Sequence, residues 1–212
     1  MTYLIQQTTN MIRRYRFGAA ISVVLFFVLL SITVGVKYFS PFMSQVQAAA
    51  VTYTGASGGD WCLGTNWSGG SIPTSVDDVT IDIAGTVDTS DCANGQVQFN
   101  TLTIGGTNAA TFKIDKTLGT AGSVTVANLG VFEQNTTSQL VISGTFTVQS
   151  GGTLKHSDNS TTQAYEVDIS AANIDIQSGG SVNVDGLGYD GGTSQTAGSG
   201  PGGGSGTNQN SQ

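Results

Sequence analysis

The chain has 212 residues, 38% of them hydrophobic, 10% charged and 8% aromatic, which excludes both a disordered polyelectrolyte and a multi-pass membrane protein. Its net charge of −7 is unevenly placed, because Arg13, Arg14, Arg16 and Lys37 precede residue 51 while the rest holds three lysines and all 14 carboxylates. A body with that field and no arginine repels phosphate backbones, so nucleic acid is excluded as a partner.

Residues 1–50 read as an export segment. Phe17 to Val36 is an uncharged apolar run of 20 residues, about 30 Å long as a helix at about 1.5 Å per residue and sufficient to span a bilayer. Three arginines just before it and a single lysine just after it place the N-terminus in the cytoplasm and the remainder outside. The small residues Ala48-Ala49-Ala50, with Pro41 upstream, resemble a signal-peptide cleavage site. The apolar run is long for a signal core, so a cleaved signal peptide and a retained transmembrane anchor both stay open.

From Val51 the periodicity is two, in short bursts such as Val79-Thr80-Ile81, Leu102-Thr103-Ile104, Phe112-Lys113-Ile114, Val124-Thr125-Val126, Phe146-Thr147-Val148 and Ile174-Asp175-Ile176. These predict half-buried strands, and no stretch after residue 50 predicts a helix. Leu102, Val124, Phe146 and Val167 recur every 21 or 22 residues, and Phe112, Phe132 and Leu154 form a second set. Gly144 to Leu154 and Ile174 to Val182 share the phrase strand, Ser-Gly-Gly, strand. Glycine at positive φ lets a chain turn a corner without a Cβ clash. Residues 51–186 are therefore expected to form an all-β domain, a short right-handed parallel β-helix of about four rungs. An antiparallel sandwich is the competing architecture.

Cys62 and Cys92 are the only cysteines, and in an exported body they predict a disulfide. Residues 187–212 form a glycine-rich segment unable to bury enough side chain to fold alone, read as a flexible tail or as a stretch that a later part of a longer protein would organise.

The segment Asn66 to Asp82 combines a tryptophan, Gly-x-Ile-Pro, the acidic pair Asp77-Asp78 and a Val-x-Ile strand, followed later by Leu102-Thr103-Ile104-Gly105-Gly106. It resembles the opening segment of bacterial surface proteins built on parallel β-helices, including autotransporter-type adhesins. It is also similar to the extracellular domain family named for its eight glycines. The resemblance covers about residues 60–115, implies an extracellular β-rich module associated with glycans, and transfers no catalytic residue.

Candidate sites are few. Trp61 and Trp67 suit a lid over the first rung; exposed, they would stack on sugar rings together with Tyr53 and Tyr189. Asp77 and Asp78 are adjacent on a strand and point apart, which suits a turn cap better than a glycosidase pair. Asp60, Asp77, Asp78, Asp185 and Asp190 supply oxygen ligands for calcium without completing a loop consensus, so no metal or other cofactor is assigned. His156-Ser157-Asp158 are neighbours in sequence, which is not a triad in space. Asn66, Asn135 and Asn159 begin N-x-Ser/Thr sequons. The expectation is a non-enzymatic, exported cell-surface protein of structural or adhesive role, with polysaccharide or another surface ligand as partner. A polysaccharide lyase or hydrolase on a β-helix, and an inert spacer for a downstream domain, are the alternatives.

Overall fold

In the computed structural model, residues 48–193 and 196–204 are described. The apolar run 17–36 expected to cross a membrane lies outside them, and among the described residues no helix is long and apolar enough to do so. The described residues belong to one compact unit.

Alternation of apolar and polar residues produces twelve strands. They are β1 (Ala50–Thr52), β2 (Gly59–Asp60), β3 (Asp78–Ile81), β4 (Gly85–Asp88), β5 (Val97–Ile104), β6 (Ala110–Ile114), β7 (Leu118–Val126), β8 (Val131–Gln134), β9 (Leu140–Val148), β10 (Thr153–His156), β11 (Ile169–Ile176) and β12 (Ser181–Val182). A single 3-10 turn at Gly64–Asn66 is the one helical element among the described residues. The odd-numbered strands make one six-stranded sheet in the order β1-β3-β5-β7-β9-β11, and the even-numbered strands make another, β2-β4-β6-β8-β10-β12. Every neighbouring pair is parallel. The chain thus passes from one sheet to the other and back, laying each strand beside the one two elements earlier. An antiparallel sandwich is excluded.

Register explains the repeat. Val51, Val79, Leu102, Val124, Phe146 and Ile174 form one inward ladder of the odd sheet. Val87, Phe112, Phe132, Leu154 and Val182 form its counterpart in the even sheet. The expected set is corrected at its last member: Ile174, not Val167, stands on Phe146, because residues 157–168 are inserted between β10 and β11. Six described strands per sheet also exceed the expected four rungs, since Val51 and the short Gly59–Asp60 strand already form a turn ahead of β3.

Glycine serves the corners. Gly151 and Gly179 have φ of 79° and 84°, the left-handed region that disfavours a Cβ. The glycine after each, and Gly130 after Leu129 at φ 62°, is needed for another reason. A Cβ on Gly130, Gly152 or Gly180 would lie 2.2, 2.4 or 2.5 Å from the carbonyl oxygen of Ile104, Val126 or Val148, the last inward residues of the odd strands one turn below. Each corner therefore rests directly on the backbone of the preceding coil.

An aromatic column runs through the interior. Tyr53 meets Trp67 edge to face at 5.2 Å between ring centroids, Trp67 meets Trp61 at 4.7 Å, Trp61 meets Phe112 at 5.3 Å, and Phe112, Phe132 and Phe146 continue at 5.6 and 5.2 Å. Tilted and edge-on contacts of this kind contribute about 0.5–1.5 kcal/mol each beyond area burial. The first described coil is sealed by these rings, whereas the last is left open by the described residues: Phe146 is fully buried, but Ile174 one rung further is 55% exposed and Val182 is 51% exposed.

Candidate functional site

The four aromatic candidates for sugar stacking separate into two groups. Trp61, Trp67 and Tyr53 are buried, so they present no ring face to solvent and the stacking reading is corrected for all three. Trp67 Nε1 donates to the Trp61 carbonyl oxygen at 2.7 Å and the Tyr53 hydroxyl donates to the Ala56 carbonyl oxygen at 3.2 Å. Burial, with the nearby Asp60 and Asp88 carboxylates, pushes the Tyr53 hydroxyl up from its ordinary value. Tyr189 instead borders a cleft of about 550 Å³, together with His156, Tyr165, Val167, Val182 and Val184. This cleft lies between the inserted segment and the uncovered last coil, where Asn159 holds the two together. Its side chain donates to the Tyr165 carbonyl oxygen and accepts from the N–H groups of Ala164 and Tyr165, while its own N–H donates to the Leu187 carbonyl oxygen.

Cys62 and Cys92 form a disulfide with Cα atoms 5.4 Å apart. Asp60 lies beside them, and its carboxylate accepts from the Cys62 N–H at 2.9 Å. These three residues make up the one group of potential metal ligands that the described residues bring together, and its sulfurs are joined to each other rather than available as thiolates. Asp77, Asp78, Asp185 and Asp190 do not join that group.

The other carboxylates hold structural posts. Asp77 accepts from the N–H and the hydroxyl of Thr74 at 2.7 and 2.8 Å, a turn cap. Asp78 accepts from Asn100 Nδ2 and from the Thr101 hydroxyl, in the next strand of the sheet. Asp82 accepts the N–H groups of Asn108 and Thr107, and the Asn108 bond above all holds its carboxyl below the usual range. Ser157 donates to Glu133 rather than toward His156, whose Nδ1 lies 2.6 Å from the Ser157 carbonyl oxygen, so no Ser-His-Asp relay forms. The sequon amides are also occupied: Asn66 Nδ2 donates to the Asp60 carbonyl oxygen, Asn135 Nδ2 to Asp115, and Asn159 as described.

The outward residues form ladders as regular as the inward ones, and the two sheets differ in kind. On the even sheet Asp88, Lys113, Glu133 and Lys155 are stacked in register with alternating charge. Lys155 Nζ lies 2.9 Å from Glu133. Burial alone would raise Glu133, but hydrogen bonds from Ser157 and Lys155 and the charges of Lys155 and Lys113 outweigh it, leaving the carboxyl below its ordinary value. On the odd sheet Thr52, Thr80, Thr103, Thr125 and Thr147 stack on five successive strands, with Asp175 on the sixth. Two residues earlier along the strands, Thr101 pairs with Ser123, and Thr145 donates its N–H to the Ser123 hydroxyl and pairs with Asn173. Sequence reasoning read these threonines only as the polar half of each alternation. The signal was present as Thr between two apolar residues in four separate bursts, but a column exists only once strand register is known.

Comparison with protein-family models, with curated proteins and with solved structures finds no match for this chain.

Proposed function

We propose that this chain is an exported, non-enzymatic cell-surface protein of structural or adhesive role, and the N-terminal part of a longer protein. Its body is a right-handed parallel β-helix that meets a polysaccharide or another extended surface. The observation that carries this reading is the difference between the two ends of the coil. The first turn is sealed by Tyr53, Trp61 and Trp67, while Ile174 and Val182 stand exposed on ladders whose earlier members are buried. Such an end suits a solenoid that further coils continue, because stacked repeats bury their apolar faces only against neighbours. The export segment and the resemblance of residues 60–115 to surface β-helix proteins point the same way. Contact through repeated outward ladders is weak per rung and gains strength by repetition.

The intact mass of the native protein, measured in the membrane, secreted and cytoplasmic fractions of its source, tests this. The expected result is a species well above the 21.7 kDa of this chain in an exported fraction. A protein confined to the cytoplasm overturns the surface role, and an exported species of 21.7 kDa or less overturns the longer-protein part.

A further inference from the structure

We infer that the outer face of the odd-numbered sheet is an ice-contacting surface, with the column Thr52, Thr80, Thr103, Thr125 and Thr147 at its centre. This deepens the surface-contact reading and rests on it. Alternation along each strand turns these threonines away from the buried ladder residues, and the parallel register aligns them across five strands. Parallel strands lie about 4.8 Å apart and alternate residues about 6.6 Å along a strand, so a five-strand column is about 19 Å long. Two residues earlier along the strands the row is mixed: Asp78 stands beside Thr101 and Thr101 beside Ser123, whose hydroxyl accepts the Thr145 N–H, so the threonine column alone carries the regular repeat.

The chemistry of the column points to its partner. Threonine is branched at Cβ and stiff at χ1, so each rung presents a hydroxyl and a methyl with little freedom left to lose. The hydroxyl is both donor and acceptor and can replace a lattice water. The methyl restricts the orientation of first-shell water. Thr101 gives its hydroxyl to Asp78 and Ser123 accepts the N–H of Thr145. The hydroxyls of Thr80, Thr103, Thr125 and Thr147, by contrast, have no side-chain hydrogen bond to another described residue. No charge interrupts the threonine column before Asp175, whereas the even sheet of the same coil carries a charged column.

A soluble sugar is gripped by a groove or by an aromatic plate. The threonine column offers neither, and Tyr53, Trp61 and Trp67 are inside. A solid with its own repeat engages every rung of the column at once. In hexagonal ice, water oxygens repeat along one lattice axis at close to the inter-strand distance, which is why ice is favoured over a polysaccharide crystal.

The test is partition into slowly grown ice, using the full chain in phospholipid nanodiscs, with empty nanodiscs and an inert labelled protein as references. The expected result is enrichment of about tenfold over the inert protein, as repeated weak contacts produce. The double variant Thr103→Lys/Thr125→Lys, whose melting temperature is measured to show that it folds, is expected to fall to the reference level. Lys113→Thr on the even sheet is expected to partition like the parent. A parent that stays at the reference level, or a folded lysine variant that remains enriched, overturns the ice assignment. Crystalline cellulose and chitin serve as parallel solids: binding to them with no enrichment in ice overturns the ice assignment and leaves the surface-contact reading standing. Enrichment in ice by a protein that the fractionation experiment finds only in the cytoplasm supports the ice assignment and overturns the surface location alone.

Discussion

Trp61 concentrates several forces at one position. It is fully buried, touches Trp67 and Phe112, and accepts the Trp67 indole N–H on its carbonyl oxygen, while its own indole N–H is buried without a partner. Truncation to alanine opens a cavity at the sealed end, so Trp61→Ala is expected to cost about 3–5 kcal/mol in a denaturant titration. Trp61→Phe removes an unpartnered donor along with some volume and is expected to cost clearly less. Glu133 makes a different prediction. Its carboxyl is lowered in the folded protein, so its contribution to stability is present above the carboxylate range of the unfolded chain and is lost as the pH falls through the lowered value. Glu133→Gln is expected to lower the denaturant midpoint at neutral pH, and the gap to the parent is expected to narrow as the pH falls through the lowered value of that carboxyl.

The strand and its corner are where the pattern in the sequence and the physics of the coil coincide. Gly152→Ala would set a Cβ 2.4 Å from the Val126 carbonyl oxygen. The overlap is with backbone that cannot swing aside, and a cost of about 1–3 kcal/mol is expected in thermal or chemical unfolding. Leu102, Val124 and Phe146 were legible as a set because period-two alternation and a constant repeat length both survive in the one-dimensional string. Ile174 was not, because the segment 157–168 lengthens one turn and moves the repeat off by several residues. Nothing in local composition separates that insertion from an ordinary loop. Burial of Trp61 and Trp67 was legible as a lid, whereas Tyr53 was read only as a sugar-stacking ring, and the choice between lid and platform depends on which coil lies beneath them. The threonine column required register, a relation between strands that no single strand encodes.

At the scale of the molecule, the disulfide and the aromatic seal secure one end only. Cys62 and Cys92 are 30 residues apart and join the loops that follow β2 and β4. Replacing both with alanine is expected to cost about 2–4 kcal/mol by freeing that loop in the unfolded chain, measured as the shift in denaturant midpoint against the parent. The loss should fall chiefly on the first coils, because in a stacked array each unit leans on its neighbours rather than on a shared centre. Amide hydrogen exchange is expected to show faster opening of β1 to β4 in that variant, with β7 to β9 changed little.

The spacing of the ladder also governs time. Partners such as Leu102 and Val124, or Phe112 and Phe132, are about 20 residues apart, so these parallel pairings close loops of modest length even though the described strands form no local hairpin. A chain made from its N-terminus therefore has its sealed first turn available as a template before the next is synthesised. On the growing chain each later turn is expected to add to the one just completed, from Trp61 toward Ile174, whereas refolding of the finished chain is expected to start at any coil and spread to its neighbours.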